Sequence, residues 1–354
     1  MIAAGSAQLS RRNGSRRYEG LESDVVAENG QQKEAVDEGR SEGAEETSPK
    51  PPVIEAKVEI IWNNVILMLI LHLGALIGLR QCFTSAQWRT TLFAFIVYGI
   101  NEIGVLGGAH RLWSHRSFKA NLPLRLILAI MQTSAYQGSI YEWARDHRIH
   151  HKYSETNADP HNALRGFFFA HVGWILSRKH PDVKAKGKLT DLSDLEADPI
   201  VMFQHRHYYA CMFPLCFILP TLIPYLYWKE TLFNSFFVCV LLRYMISQHG
   251  TWFINSVAHM WGRRPYDKNI NPSESRFVSL VSFGEGFHNY HHTFPWDYAA
   301  SELGFDTNIT KLFIDFFAFF GWAYDRKVVS PEMIRQRKLR TGDTTELGPY
   351  GPYN

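Results

Sequence analysis

The sequence predicts an all-α membrane protein, with four transmembrane helices in two hairpins and a cytosolic helical cap that carries histidine clusters. Two observations predict this architecture. Apolar residues are concentrated in four long blocks, and nine of the sixteen histidines lie in or beside short clusters near the ends of these blocks. The mean hydropathy of -0.19 hides this division, because the rest of the 354-residue chain is strongly polar. The distribution of apolar residues therefore carries the information on the fold.

Each of the four apolar blocks is long enough to cross a bilayer. About 20 helical residues span the roughly 30 Å of hydrocarbon, and we place the spans at about 60–79, 88–109, 208–228 and 232–252. Only short turns separate the members of each pair, which predicts two hairpins with both termini on one side. The turns carry few positive charges, whereas residues 111–188 and 326–340 are rich in Lys and Arg. The positive-inside tendency therefore predicts that the cap and both termini are cytosolic.

The two ends of the chain differ in composition from the apolar body. Residues 1–53 contain 7 Lys/Arg, 10 Asp/Glu and almost no aromatic residues, so they cannot offset the entropy of folding. We predict a disordered N-terminal tail over 1–53, a membrane domain over 54–340 and a flexible C-terminal tail over 341–354. Beyond residue 53 there are 30 basic and 24 acidic residues. This surplus of positive charge suits a protein that faces anionic lipid or phosphate groups. We predict no nucleic-acid partner.

The histidine clusters are the strongest functional signal. Their motifs are HRLWSH, HRIHH and HNYHH, with a single histidine in NSVAH. Residues three and four apart share one side of an α-helix, so HRIHH and HNYHH are each predicted to point three imidazoles at one spot. The spacing in HRLWSH instead requires a helix end or bend. A tetrahedral zinc site needs only four ligands, so this set predicts two metal ions. The clustered histidines are His110, His115, His147, His150, His151, His259, His288, His291 and His292.

These motifs and their flanking residues resemble a known family. The segments HRLWSH, YEWARDHRIHHKYSETNADPHN, GFFFAHVGW, NSVAHMWG and GEGFHNYHHTFPWDY are similar to those of the membrane acyl-CoA desaturases of the stearoyl-CoA desaturase type. The segment NPSE at 271–274 is similar to one in the insect members. The resemblance covers roughly residues 55–335. It implies that the nine histidines bind two Fe2+ ions and that Asn255 reaches one of them through water.

The resemblance also implies a substrate, a reaction and an electron donor. A saturated fatty acyl-CoA would receive a cis double bond, at the Delta-9 position in our interpretation, with O2 as oxidant and cytochrome b5 as electron donor. The implied location is the endoplasmic reticulum membrane. The residues implied to lie near coenzyme A are Arg145, Asp146, Arg178 and Lys179. The residues implied to shape the acyl tunnel are Gln137, Trp143, Thr251 and Trp252.

The chemistry of the reaction limits the choice of metal. An unactivated methylene C–H bond is beyond any side-chain acid or base, so its cleavage requires an oxidant made from O2 at a redox metal. This requirement excludes zinc as the working ion. Oxygen insertion shares the first step with desaturation, so a membrane di-iron fatty acyl hydroxylase and a desaturase of other regiospecificity are alternatives. A non-enzymatic metal carrier is a third, although it would not need the CoA-facing sequence around the motifs.

Two polar residues inside the second apolar block depart from the family pattern. Asn101 and Glu102 lie about eight residues before His110, or about 12 Å along a helix. A carboxylate at that depth costs about 2.5 to 3.5 kcal/mol on insertion scales, so it requires a partner. One hypothesis is that the pair, with the small Ala94, alters which acyl lengths or bond positions are accepted. The other is that it forms structural hydrogen bonds to a neighbouring helix.

Overall fold

The computed structural model describes residues 58–303 and 308–343, and this part of the chain is mostly helical. The predicted N-terminal tail and residues 344–354 of the predicted C-terminal tail lie outside the described residues. The elements in chain order are α1 (Trp62–Thr84), α2 (Trp88–Ile103), β1 (Lys119–Ala120), α3 (Leu122–Ala135), α4 (Ile140–Tyr153), α5 (Trp174–Leu176), α6 (Pro181–Gly187), α7 (Ser193–Glu196), α8 (Pro199–Arg206), α9 (Tyr208–Phe213), α10 (Leu219–Trp228), α11 (Leu232–Phe236), α12 (Arg243–Asn255), α13 (Val257–Met260), α14 (Arg276–Val281), α15 (His288–Thr293), α16 (Ile309–Phe319), β2 (Ala323–Tyr324) and α17 (Pro331–Thr341).

The first two apolar blocks form helices that are longer than predicted. α1 continues to Thr84, five residues past the predicted limit of 79. α2 runs without a break into a π-helical segment, Gly104–Ser114, so that the whole helix Trp88–Ser114 has 27 residues. Both helices are long and apolar enough to cross a membrane. A turn of three residues separates them, as a hairpin requires.

The second pair of blocks is also helical, with π-helical segments inside both members. α9 and α10 join through Pro214–Ile218 into the helix Tyr208–Trp228, which is long and apolar enough to span a membrane. α11 and α12 join through Phe237–Leu242 into a continuous helix over residues 232–255. This last helix is less apolar than the other three, because it contains Arg243 and other polar residues. The count of four membrane spans therefore stays a prediction.

Small residues allow α1 to pack closely against the helix over residues 232–255. A Cβ atom at Gly78 would lie 2.2 Å from the carbonyl oxygen of Phe237, and one at Gly74 would lie 2.4 Å from Cδ1 of Leu241. Lipid tails are as apolar as leucine, so close van der Waals packing through small residues is what holds membrane helices together. The opposite side of α1 exposes large apolar side chains, as contact with lipid requires.

The cap has an apolar core of its own, which positions the histidine motifs. Leu124 and Leu128 of α3, Ile140 and Ala144 of α4 and Val201 of α8 are at most 1% exposed. Their burial packs α3 and α4 against the end of the helix Trp88–Ser114. A short antiparallel pairing of β1 with β2 ties the C-terminal part of the cap to the segment after that helix. This packing brings the HRLWSH and HRIHH motifs together.

Candidate metal centre and substrate cavity

The nine clustered histidines converge into two adjacent groups, each of which could hold a metal ion. In each group the ligating nitrogen atoms lie within 4.8 Å of one another. The five-histidine group consists of His110, His115, His147, His151 and His291. The four-histidine group consists of His150, His259, His288 and His292. The ring centroids of His151 and His292 are 4.1 Å apart, so the two groups share a border.

Both three-histidine motifs are divided between the groups, which corrects the prediction that each motif points at one spot. On α4, His147 and His151 belong to the five-histidine group and His150 to the other. On α15 the division is reversed, since only His291 belongs to the five-histidine group. Residues four apart differ in direction by about 40° on an α-helix, whereas adjacent residues differ by about 100°. The two histidines that are four residues apart therefore belong to the same group, and the third histidine of each motif belongs to the other group.

A π-helical segment brings the two histidines of HRLWSH onto one face. The backbone N–H of His115 donates to the carbonyl oxygen of His110 at 3.1 Å, a five-residue step that is characteristic of a π-helix. The two ring centroids lie 4.8 Å apart. The motif therefore depends on a change of helical geometry in the last turns of the helix Trp88–Ser114. Sequence reasoning predicted a helix end or bend without identifying this form.

The spacing of the ring nitrogens fits metal ligation. In the five-histidine group, three pairs of Nε2 atoms lie 2.9, 2.8 and 2.9 Å apart. In the four-histidine group, two pairs lie 2.9 and 3.1 Å apart. Two metal–imidazole bonds of about 2.1 Å at right angles place their nitrogens about 3.0 Å apart. Among the described residues, the buried Nε2 atom of His150 has no hydrogen-bond partner. The donor set in each group therefore fits a metal ion.

Burial keeps most of these imidazoles in the neutral form that binds a metal. A neutral imidazole has a nitrogen lone pair available, whereas an imidazolium has none. Burial lowers the pKa well below its usual range in several histidines of the cap, and repulsion from neighbouring imidazoles lowers it further. The histidines with this shift are His115, His147, His151, His288, His291 and His292.

Two carboxylates that sequence reasoning missed bond to the outer nitrogens of the four-histidine group. Nδ1 of His150 lies 2.9 Å from Oδ1 of Asp159, and Nδ1 of His259 lies 2.7 Å from Oε1 of Glu155. Burial by itself would lower the pKa of His150 and raise the pKa of Asp159. The attraction between the two side chains outweighs burial, so the pKa of His150 is raised and that of Asp159 is lowered. Such partners fix the ring orientation and raise ligand basicity. The sequence signal that could have identified these two carboxylates is their position, since both follow His150 within nine residues.

A third buried carboxylate, Glu285, faces the five-histidine group. Its Oε2 atom lies 3.2 Å from Nδ1 of His110. Its Oε1 atom accepts hydrogen bonds from Nε and Nη2 of Arg111 at 2.9 and 2.6 Å. Burial raises the pKa of Glu285, but the charge of Arg111 and the interaction with His110 outweigh burial and lower it to about 2. Glu285 is therefore ionised, and Arg111 neutralises its charge.

A cavity of about 490 Å³ opens beside the five-histidine group. It is lined by residues of α1, α4 and α12 and by His147 itself. The ring of Trp143 stacks on His147 with centroids 4.8 Å apart. His161, one of the seven other histidines that we interpret from the sequence as structural or substrate-side, also lines the cavity, and it forms a further candidate metal group with His150 and Asp159. The implied site residues on the cavity wall are Gln137, Trp143, Arg145, Asp146, Lys179, Thr251, Trp252 and Asn255.

Arg178 is the one implied substrate residue that lies elsewhere. It lines a second cavity of about 400 Å³ together with Arg165 and Lys184, and Lys179 lines both cavities. The side chain of Arg178 is 68% exposed, and its Nε atom lies 2.8 Å from a carboxylate oxygen of Glu59. The two cavities are therefore neighbours joined at a lysine, and the outer one is strongly basic.

Asn101 and Glu102 are fully buried and do not line the cavity. Oε1 of Glu102 accepts a hydrogen bond from Oγ of Ser247 at 2.5 Å. The side chain of Asn101 contacts Ser134 and Arg243. These are the hydrogen bonds to neighbouring helices that the second sequence hypothesis predicted.

The fold and the site define a helical membrane protein with two histidine groups that could each hold a metal ion beside a substrate-sized cavity. Residues 86–304 match the fatty acid desaturase family. The chain is 57% identical over 307 residues to the acyl-CoA Delta-9 desaturase of Acheta domesticus, covering 86% of each chain. It is 56% identical over 288 residues to the acyl-CoA Delta12-desaturase of that species, covering 81% of each. It is 57% identical over 287 residues to the human stearoyl-CoA desaturase, covering 81% of this chain and 80% of the relative. The chain belongs to the fatty acid desaturase family, which confirms the resemblance.

Proposed function

We propose that this protein is a fatty acyl-CoA desaturase, an oxidoreductase that removes two hydrogens from adjacent methylene groups and leaves a cis double bond. The observation that carries the proposal is the position of His147, which belongs to the five-histidine group and also lines the cavity. A methylene group inside the cavity therefore lies next to the candidate metal centre. The names of relatives at 57% identity support acyl-CoA as the substrate class.

In this proposal the nine histidines hold two Fe2+ ions. Bound iron supplies the oxidising power, drawn from O2, that an unactivated C–H bond requires. The chain contributes the geometry. Asn255 is the last residue of α12, lies four residues before His259 and lines the cavity, which suits a contact through water to the four-histidine group. Trp143, stacked on His147, limits how an acyl chain can pass the centre.

The cavity is proposed to bind the acyl chain and the start of the CoA group. Apolar wall residues such as Met68 and Trp252 can hold the tail without a polar contact, since each buried CH2 contributes about 0.8 kcal/mol. Arg145 is held by Asp146, with Nε and Oδ1 2.9 Å apart, and Lys179 pairs with the same carboxylate. The basic residues of the outer cavity suit the polyanionic part of CoA.

Cytochrome b5 is the proposed electron donor. His115 of the five-histidine group lines a groove of about 660 Å³ that shares no lining residue with the substrate cavity. Arg116 and Lys327 line the same groove. A donor seated there would reach a metal ligand without displacing the acyl-CoA. The groove is therefore the place where we expect electrons to enter.

We propose an endoplasmic reticulum membrane location with four spans and with the cap and both termini in the cytosol. The family resemblance and the basic residues of the cap support this orientation. Delta-9 is the proposed bond position. The two cricket relatives differ by only one percentage point in identity, although one is named for Delta-9 and the other for Delta-12, so overall identity does not discriminate between positions.

Expression of the full chain in desaturase-deficient cells tests the function. Mass spectrometry of total fatty acids should show new monounsaturated chains, with the Delta-9 isomer dominant, and the purified protein should contain iron. Hydroxylated chains in place of unsaturated ones would overturn the desaturase assignment. A protein that binds iron but forms neither product from acyl-CoA would indicate a metal carrier.

Two cationic residues test the position of CoA. Arg178→Ala and Lys179→Ala should each raise KM for acyl-CoA more than they lower kcat, because they contact a non-reacting part of the substrate. We expect a KM increase of about tenfold for Lys179, which lines both cavities, and a smaller one for the exposed Arg178. Lys188→Ala is the control, since this lysine lines neither cavity. An unchanged KM in both variants would contradict the CoA position.

A further inference from the structure

A pair of polar residues inside the helix Trp88–Ser114 connects α12, which lines the substrate cavity, with α3, which ends just before the lining residues Tyr136 and Gln137. Glu102 accepts its hydrogen bond from Ser247 of α12 at 2.5 Å. The side-chain amide of Asn101 bonds to two neighbouring residues in the orientation that pairs donors with acceptors. Its oxygen then accepts from Nη1 of Arg243 of α12, and its nitrogen donates to Oγ of Ser134 of α3, each at 2.6 Å. Adjacent residues of one helix therefore hold both α3 and α12.

The partners of this pair lie directly behind the cavity wall. Ser134 belongs to the last turn of α3, just before Tyr136 and Gln137, which line the cavity. The carbonyl oxygen of Ser247 accepts a bond from Oγ1 of Thr251, a cavity residue one turn further along α12. Nε2 of Gln137 donates to Oγ1 of Thr251 at 2.9 Å, so the two walls contact each other. A hydrogen-bonded chain thus runs from the buried carboxyl group to the cavity lining.

α12 packs closely against its neighbours around Gly250, so its position there cannot change freely. A Cβ atom at Gly250 would lie 3.0 Å from the carbonyl oxygen of Val281, 3.4 Å from Oη of Tyr98 and 4.0 Å from Oε2 of Glu102. α12 therefore has one close-packed position against the helix that carries Glu102. Polar side chains that bond across helices in lipid add to such packing, so the contact of Glu102 with Ser247 helps to hold α12 in that position.

We propose that Asn101 and Glu102 form a polar clamp that sets the position of α12 relative to α3 and thereby determines which pair of acyl carbons lies beside His147. The inference rests on the proposed desaturase function and deepens it. Neither side chain touches the substrate, so both act as positioning residues. A displacement of about 1 Å is enough to change reactive geometry in an enzyme site, so a small shift of one wall changes the bond position and the chain length that are favoured.

The experiment compares the double-bond positions formed from C14 to C20 acyl-CoAs by the full chain and its variants in desaturase-deficient cells. Glu102→Ala and Ser247→Ala should each change the ratio of positional isomers by about threefold or more, as expected for the loss of one hydrogen bond. The double variant should change it no further than the larger single change, because both substitutions remove the same contact. Glu102→Gln keeps a side-chain acceptor and should restore the wild-type ratio.

Thr90→Val is the matched control. Oγ1 of Thr90, in the same helix, donates to Oε2 of Glu230, between α10 and α11, at 2.8 Å; this hydroxyl–carboxyl pair is also buried, and neither residue lines the cavity. This variant should lose stability without changing the isomer ratio. A ratio that changes as much in Thr90→Val as in Ser247→Ala would overturn the clamp.

The isomer ratio does not depend on how much protein accumulates, which separates positioning from simple destabilisation. An unchanged ratio in Ser247→Ala, a variant that removes only one oxygen atom, would overturn the clamp even if Glu102→Ala failed to accumulate. If the wild-type chain forms no unsaturated product, the proposed function fails and not the clamp alone.

Discussion

The two histidine groups of this protein lie side by side but are built differently. The five-histidine group combines the π-helical end of the helix Trp88–Ser114 with residues of α4 and α15, whereas the four-histidine group combines α4 and α15 with α13, which follows the helix over residues 232–255. The five-histidine group lies next to the substrate cavity through His147 and next to the groove of about 660 Å³ through His115. The two groups therefore depend on different long helices.

The groups also differ in their carboxylate partners. Asp159 and Glu155 bond to histidines of the four-histidine group without an arginine between them. Glu285 faces the five-histidine group, but Arg111 neutralises its charge. Anionic partners raise the basicity of an imidazole ligand. The four-histidine group thus gains affinity from its surroundings, and the five-histidine group gains it from an additional ligand.

The largest expected effect is the loss of a ligand. His291→Ala, in the five-histidine group, and His150→Ala, in the four-histidine group, should each abolish desaturation and lower the iron content, from about two ions per chain to about one or fewer. Activity assays and metal analysis of the purified variants measure both effects. His207→Ala is the control, because His207 belongs to neither group. Near-normal product from either ligand variant would refute the two-metal assignment.

The next effect tests the difference in carboxylate partners. Asp159→Asn should lower the metal affinity of the four-histidine group by about 10-fold to 100-fold and leave the other group occupied, because loss of such a partner has this magnitude in other metal sites. Competition with a chelator, followed by metal analysis, would reveal one weak and one strong ion. Glu332→Gln removes an exposed carboxylate that pairs with the exposed Arg335 and should change neither. Equal weakening of both ions would contradict the division into groups.

A smaller effect should reach the five-histidine group through its membrane helix. A Cβ atom at Gly104 would lie 2.4 Å from two backbone atoms of α3, so Gly104→Ala must displace the start of the π-helical segment. Overpacking of this kind costs about 1–3 kcal/mol of stability. We expect partial loss of iron from this group and a lower melting temperature. Gly107→Ala is the control, since its nearest atoms are 3.7 Å away. The same loss in both variants would argue against this mechanism.

The smallest effect on metal binding concerns α15, which supplies ligands to both groups. Oε1 of Glu274 accepts a hydrogen bond from the backbone of Tyr290 at 2.8 Å, and burial raises the pKa of Glu274 from 4.5 to about 8. The folded state therefore binds more protons than the unfolded state, and this contribution to stability is lost as the pH rises from 4.5 to 8. Glu274→Gln should flatten that decline in thermal unfolding curves. If the stability of the wild type and of Glu274→Gln falls equally with rising pH, the raised pKa of Glu274 is contradicted.

The sequence by itself determined the family, the ligand types and the main architecture. Apolar blocks of the right length predicted the helical hairpins, because crossing a bilayer imposes a length on any helix. The clustering of the histidines predicted that they come together, and all nine lie in the two groups, but the prediction that each three-histidine motif points at one spot was wrong. Such features depend on local geometry, which the order of residues specifies.

The tertiary structure alone decided how the motifs are shared between the two groups. His150 turns away from its neighbours because α13 and α15 supply partners on that side. The π-helical form of HRLWSH, the bonds from Asp159 and Glu155, and the contact of Glu102 with Ser247 also depend on packing between elements distant in sequence. The direction of each helix is set by the surfaces that it buries, and a periodic pattern specifies a face of a helix without specifying what that face meets.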